Sequence, residues 1–165
     1  MAEILYKELS YKIIGAAMEV HKTLGSAFLE SVFEEALAHE FDLQGIPYEQ
    51  QKWLPVFYKG REVGKFRADF VIAGKIILEL KAVKEINEIH EAQAHNYLAA
   101  SGLRLAIILN FGAPSLEFKR IVTRRTSTMC ASRRHWTSSS CCAPRAPRCA
   151  ITTPMYPRLR TTAIA

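Results

Sequence analysis

The stretch Lys75–Val83, reading KIILELKAV, constrains this chain more than any other. It is apolar, β-branched at Ile76 and Ile77, and about as long as a core strand, so it predicts a strand buried inside a sheet. Two charges interrupt it, Glu79 and Lys81. Side chains alternate faces along a strand, so these two project side by side while Leu78 and Leu80 point the other way. A buried charge is costly unless it is paired, hydrogen-bonded or bound to a metal. The pair is therefore either a structural ion pair or the beginning of a site.

A second strand candidate, KFRADFVIA at Lys65–Ala73, carries one acid, Asp69, among apolar neighbours. Gly74 separates the two runs and suits a tight turn. A hairpin closed there brings Asp69 near Glu79. The pattern is then an Asp, a turn, and Glu-x-Lys on the neighbouring strand.

Asp69 followed by Glu79-Leu80-Lys81 resembles the core motif of the PD-(D/E)XK nuclease superfamily. The chain also resembles a small bacterial and archaeal group placed in that superfamily, the GxxExxY family. The matching stretches are IIGAAMEVHKTLG at Ile13–Gly25, FLESVFEEAL at Phe28–Leu37, RADFVI at Arg67–Ile72, ILELKAV at Ile77–Val83, HEAQAHNYL at His90–Leu98 and LNF at Leu109–Phe111. They fall in the family's order, and the likeness as a whole covers roughly residues 5–122. The residues that name the group align with Ala27, Glu30 and Phe33, so only the Glu is kept. Ala in place of Gly could reduce backbone clearance, and Phe in place of Tyr loses a hydroxyl.

The resemblance implies a metal-dependent nuclease. Magnesium favours carboxylate and carbonyl oxygens and keeps several waters. Asp69 and Glu79 would supply two carboxylates and the Leu80 carbonyl a third oxygen. The metal, Mg2+ with Mn2+ as a substitute, would acidify a bound water and polarise the phosphate. Lys81 would orient that water or offset developing negative charge. Glu30 resembles the helical acid that often completes such sites, although an acid at a helix start also suits the helix dipole. Gln93 and Tyr97 stand four apart and share a helix face. Their Q-x-x-x-Y spacing resembles the motif that follows the catalytic strand in RecB-type members, where it would contact substrate. His90 is expected near that face. His21, a lone helical histidine, is assigned no catalytic role.

Helical periodicity marks Leu5–Thr23, closed by Gly25, and Phe28–Leu43, closed by Gly45 and Pro47, with Ser26 as a potential cap between them. Pro47–Tyr58 alternates as a strand, and Lys59-Gly60-Arg61 signals a turn into the strand Glu62–Ala73. After Lys75–Val83, Asn87 caps a helix that runs to Ser101 and stops at Gly102. Leu103–Phe111 is another buried strand, and Leu116–Val122 a candidate last one. The order ααβββαβ, with a further β, predicts an α/β fold: a restriction-endonuclease-like core with a mixed sheet flanked by helices.

Charge divides the chain at Thr123. Residues 1–123 hold 14 Lys and Arg against all 16 acids, a net of −2, while residues 124–165 hold eight Arg and no acid, a net of +8. All four cysteines also lie in the second part, so the expected nuclease-like domain, 1–123, depends on no disulfide or thiolate site. Residues 124–165 are expected to be a disordered Arg/Ser/Thr/Cys-rich tail. The abrupt change to Arg alone suggests the hypothesis of a shifted reading frame. Translation of the gene's other frames tests it, and finding no family-like ending there removes it. Cys141, Cys142 and His135 fit no common zinc spacing.

No apolar run approaches the ~20 residues a membrane helix needs, and Met1–Ser10 carries two acids and no apolar signal-peptide core. A cytoplasmic protein with no membrane partner is expected. The expected partner is nucleic acid, DNA before RNA, although a domain at −2 lacks the overall basic footprint of many such binders. Arg67, Lys65, Lys81, Lys84 and Lys75 offer a local basic patch along the two strands. The competing reading is a catalytically weak or inactive nuclease-fold module that binds nucleic acid or a protein.

Overall fold

The computed structural model describes residues 4–123. The elements run α1 (Lys7–Leu24), α2 (Glu30–Gln44), β1 (Tyr48–Tyr58), β2 (Arg61–Ile72), β3 (Ile76–Lys81), α3 (Glu88–Ser101), β4 (Leu105–Asn110) and β5 (Glu117–Val122). The expected order holds, and the candidate last strand is present. The expectations for residues 124–165 lie outside the described residues.

The five strands form one sheet in the order β1-β2-β3-β4-β5. Only β3 and β4 are parallel, because α3 carries the chain across one face between them. The other neighbours pair antiparallel. Side chains of β3 and β4 are buried almost throughout, which is why both read as near-continuous apolar runs. Their alternation divides two cores. Ile76, Leu78 and Leu80 pack with Leu105, Ile107 and Leu109 against Ile13, Phe33, Leu37 and Phe41 of α1 and α2. Ile77, Ala106 and Ile108 pack against Ala94, Tyr97 and Leu98 of α3. By the same alternation Glu79 and Lys81 belong to the α3 face.

The turns follow the glycines. Lys75 N–H donates to Ile72 O at 2.9 Å, closing a turn whose central residues Ala73 and Gly74 both have positive φ, 51° and 65°. Glycine takes that conformation without cost, whereas Ala73 pays a Cβ penalty. Asn87 caps α3 in a reciprocal box: its side chain accepts from Ile89 and His90 N–H, and His90 Nδ1 accepts from Asn87 N–H. His90 is thus a capping residue, not a residue aimed at the acids on β3. The expected Ser26 cap is not used. The residue preceding α2 is Leu29, which makes no side-chain cap bond. The helix starts at Glu30, four residues beyond Ser26, too far for a cap that must reach the first turn.

Beyond the pair Phe70↔Leu78, β2 leaves β3 and continues with β1 alone as a two-stranded arm. Asp69 is the first residue past the divergence. Opposite it, Gln51 has φ 50°, a left-handed conformation that costs energy for a residue with a Cβ. The side-chain alternation of β2 is also interrupted here, since Ala68 and Val71 both join the α3-side core. The split in the sheet and the acid therefore coincide.

Candidate active site

At the split, the backbone N–H of Leu80 donates to Asp69 Oδ2 at 2.8 Å in place of a strand-to-strand bond. This holds the Asp69 carboxylate against the middle of the Glu79-Leu80-Lys81 run. Glu79 is 2% exposed. Lys81 Nζ donates to Glu79 Oε1 at 2.8 Å, across two side chains that are both largely buried. The other oxygen, Glu79 Oε2, is buried and has no hydrogen-bond partner among the described residues. Desolvation of an unpaired carboxylate oxygen costs kilocalories, and native structures rarely tolerate it without a use.

The titrations reflect this crowding. Burial raises the Glu79 carboxyl to about 7, with the Asp69 charge adding to the rise, and the Lys81 ammonium offsets only part of it. Burial also raises Asp69, against the lowering effect of the Leu80 N–H and Lys81, while Glu30 and Glu34 raise it further. For Lys81, burial works downward, but the charge and hydrogen bond of Glu79, with Glu30 and Asp69, hold the ammonium above its usual range. Two carboxylates and a helical acid thus surround one cation and still carry excess negative charge.

A consequence for stability follows. The folded Glu79 pKa of about 7 lies above its ordinary 4.5, so the fold favours the protonated acid. This contribution is fully present below about pH 4.5 and is lost as pH rises through 7. Glu79→Gln resembles the protonated acid, so wild type and variant should match near pH 4.5. At pH 8.5 the variant should be the more stable by up to ~3 kcal/mol. Urea unfolding at the two pH values checks this, and a stability difference that does not change with pH refutes it.

The expected supporting residues are arranged differently from one another. Gln93 Nε2 donates to Tyr97 OH at 2.7 Å on α3. Tyr97 is buried on the face that carries Glu79, whose charge, after burial, pushes the phenol pKa up. The two residues therefore stand together at the carboxylates. Glu30 lies exposed in the first turn of α2 and reaches Asp69, Glu79 and Lys81 only through its charge. His21 Nε2 lies 3.1 Å from Ala113 O, and its ring stacks with Phe111, a structural role as expected.

The expected basic patch is not continuous. Lys65 and Arg67 flank Trp53 on the arm, whereas Lys75 lies over Tyr6 beyond the far end of β3. Six residues separate Lys75 from Lys81 along a strand that rises about 3.3 Å per residue, so one patch cannot span both.

Asn110 is not among the site residues expected from the sequence. It is fully buried at the end of β4. Its Oδ1 accepts from Val83 N–H at 3.0 Å and Gly112 N–H at 3.1 Å, and its Nδ2 donates to Glu117 Oε2 at 3.1 Å. It ties the segment just after Lys81 to the neighbouring strands. A polar residue ending the run LAIILN was the signal available for it.

A family model described as the PD-(D/E)XK nuclease superfamily matches residues 7–121. This chain belongs to the PD-(D/E)XK nuclease superfamily. The sheet with its flanking helices is the restriction-endonuclease-like fold of that superfamily. No curated protein matches the chain. A solved structure titled "Crystal structure of SSO0001" is similar at 21% identity, covering 71% of this chain and 57% of that one, with a TM-score of 0.46. The chain thus spans less than two thirds of that protein's length. No helix among the described residues is long and apolar enough to cross a membrane.

Members of the superfamily generally use divalent metals such as Mg2+. Among the described residues no three His, Cys, Asp or Glu side chains converge as a metal-binding group. Asp69 and Glu79 nevertheless fit a magnesium ion, which binds through one or two carboxylates and completes its shell with waters and substrate phosphate. The buried, unpartnered Glu79 Oε2 and the raised carboxyl pKa values are what a cation at this position would relieve.

Proposed function

We propose that residues 1–123 form a metal-dependent nuclease domain that hydrolyses phosphodiester bonds of DNA. The observation that carries this reading is the buried Glu79 carboxylate. One of its oxygens accepts from Lys81, the other is buried without a hydrogen-bond partner among the described residues, and the Asp69 charge acts on the same carboxyl. Pairing with Lys81 alone leaves the buried Glu79 Oε2 without a partner, and a bound cation would supply one.

Asp69 and Glu79 would hold the metal, Mg2+ or Mn2+. Bound there, it supplies Lewis-acid polarisation of the phosphate and a more acidic water. The protein's own groups do the rest. The Leu80 N–H fixes Asp69 Oδ2 and so orients that carboxylate. Lys81, held by Glu79, presents a cation where the phosphate's developing negative charge can be stabilised. Burial removes water from around Lys81 and strengthens the attraction of its ammonium for an anion. Tyr97, with Gln93 on its hydroxyl, would contact the substrate backbone from α3, and Glu30 would complete the negative field from α2.

Within the superfamily we place the chain in the GxxExxY group. Its two departures are compatible with activity. Ala27 is exposed and does not have the positive φ that would demand glycine. Phe33 is fully buried, and its ring stacks on Phe111 with centroids 4.6 Å apart, so the position serves packing.

The test is to incubate the purified chain with single- and double-stranded DNA and RNA, in Mg2+, Mn2+ or EDTA. Cleavage of DNA with either metal and none in EDTA is expected. A folded chain that cleaves no substrate in either metal would falsify the enzyme reading and favour a binding module.

A further inference from the structure

We infer that the β1–β2 arm is a binding platform for single-stranded DNA that leads the strand to Asp69. This rests on the nuclease reading, which takes DNA as substrate.

The first observation is charge segregation. Residues 52–67 carry five Lys and Arg against one acid, a net of +4, while the remainder of residues 1–123 has nine bases against 15 acids, a net of −6. A domain with an overall negative charge thus carries a segment of net positive charge in the arm.

The second is what the arm exposes. Paired residues of an antiparallel ladder share a face. Trp53↔Arg67 and Pro55↔Lys65 lie on one face, with Leu54↔Phe66 on the other. The latter face is partly covered: Leu54 joins the α3-side core, and Phe66, still 37% exposed, meets Tyr97 with ring centroids 5.4 Å apart. The former is open. Trp53 is 52% exposed, and Lys65 Nζ lies 4.3 Å from its ring centroid with the Arg67 guanidinium at 5.8 Å. Towards the tip, Phe57 and Tyr58 are also exposed.

The open face of the ribbon gains little by displaying aromatic rings to water. Exposed rings interleaved with cations suit a strand whose bases are unstacked and whose phosphates lie alongside. Duplex DNA offers phosphates but keeps its base faces stacked inside. Position adds to the case: Arg67 precedes Asp69 by two residues on β2, about 7 Å along the strand, so the platform ends beside the first carboxylate.

The experiment uses the full chain in EDTA with an unstructured oligodeoxythymidine. The chain has two tryptophans, Trp53 and Trp136. Trp136→Phe therefore makes emission report on Trp53 alone, which separates the arm from the Arg-rich residues 124–165. Saturable quenching of Trp53 is expected. Combining Lys65→Ala with Arg67→Ala should raise the midpoint about tenfold or more and flatten its salt dependence, with unchanged thermal unfolding. Absence of quenching, an unchanged midpoint in the folded double variant, or tighter quenching by duplex DNA or RNA overturns the inference. Glu79→Gln keeps the two readings apart, because it should lose cleavage and retain quenching. A chain that cleaves without quenching loses only the arm. One that quenches but never cleaves in metal loses only the nuclease.

Discussion

Glu79→Gln should lower metal-dependent cleavage by about a thousandfold or more, and Lys81→Ala by about a hundredfold to a thousandfold. The two losses differ in kind. Glu79→Gln removes the proposed charged ligand while keeping a side chain of similar shape, so the variant should fold and, at alkaline pH, be more stable than the wild type. Lys81→Ala leaves the carboxylate and removes the ammonium bonded to it at 2.8 Å. Breaking a buried pair ordinarily costs about 3–5 kcal/mol because a charge is left alone. Here Glu79 already titrates at about 7, so it can take up a proton and limit the damage. The variant should therefore fold at neutral pH but hold metal less well there, because protonated Glu79 is a poor ligand. Its residual cleavage should move to higher pH than that of the wild type. Initial rates against pH in saturating Mg2+, with circular dichroism as the fold control, check both variants. Retention of more than a tenth of wild-type cleavage by Glu79→Gln removes Glu79 from the chemistry.

Gly112→Ala should be among the most destabilising single changes in the domain, by about 3 kcal/mol or more. A Cβ on Gly112 would lie 2.5 Å from both the N and O of Val83 and 2.6 Å from the carbonyl carbon of Ala82. All three are backbone atoms, which cannot swing aside as a side chain would. Gly112 does not have a positive φ, so the demand is for space and not for an unusual backbone conformation. Relief would require parting the chain after β4 from the end of β3. That would strain the bond from Phe111 N–H to Lys81 O at 2.7 Å and the Asn110 bonds to Val83 and Gly112. Because these contacts hold the backbone of Lys81, cleavage should fall along with stability. Urea midpoints measure the first effect, and a change below ~0.5 kcal/mol contradicts the close approach.

Much of this was legible in the sequence because it depends on local rules. The periods of 3.6 and 2 located three helices and five strands, and Gly25, Gly45, Gly74 and Gly102 marked turns because their positive φ is cheap only without a Cβ. Ser26 misled because a capping residue is only as good as its distance to the first turn, and that distance was set by where Phe33 and Leu37 pack. The pairing of Glu79 with Lys81 was legible from alternation alone.

The chain's amino-acid order by itself determined the elements, their order, and that two opposite charges would share a face of a buried strand. Only the tertiary structure decided what those charges meet. Whether Asp69 lies against β3 depends on where β2 stops pairing with it, and the Leu80 N–H turns to Asp69 Oδ2 at that split. Sequence spacing says nothing of it, because the divergence depends on the interrupted alternation of β2 and on the left-handed Gln51 across from it. The raised pKa of Glu79 is likewise a property of burial by elements distant in sequence, as are the closeness of Gly112 to Val83 and the open face of Trp53. Local propensity acts through neighbours along the chain, whereas desolvation and steric clearance act through neighbours in space.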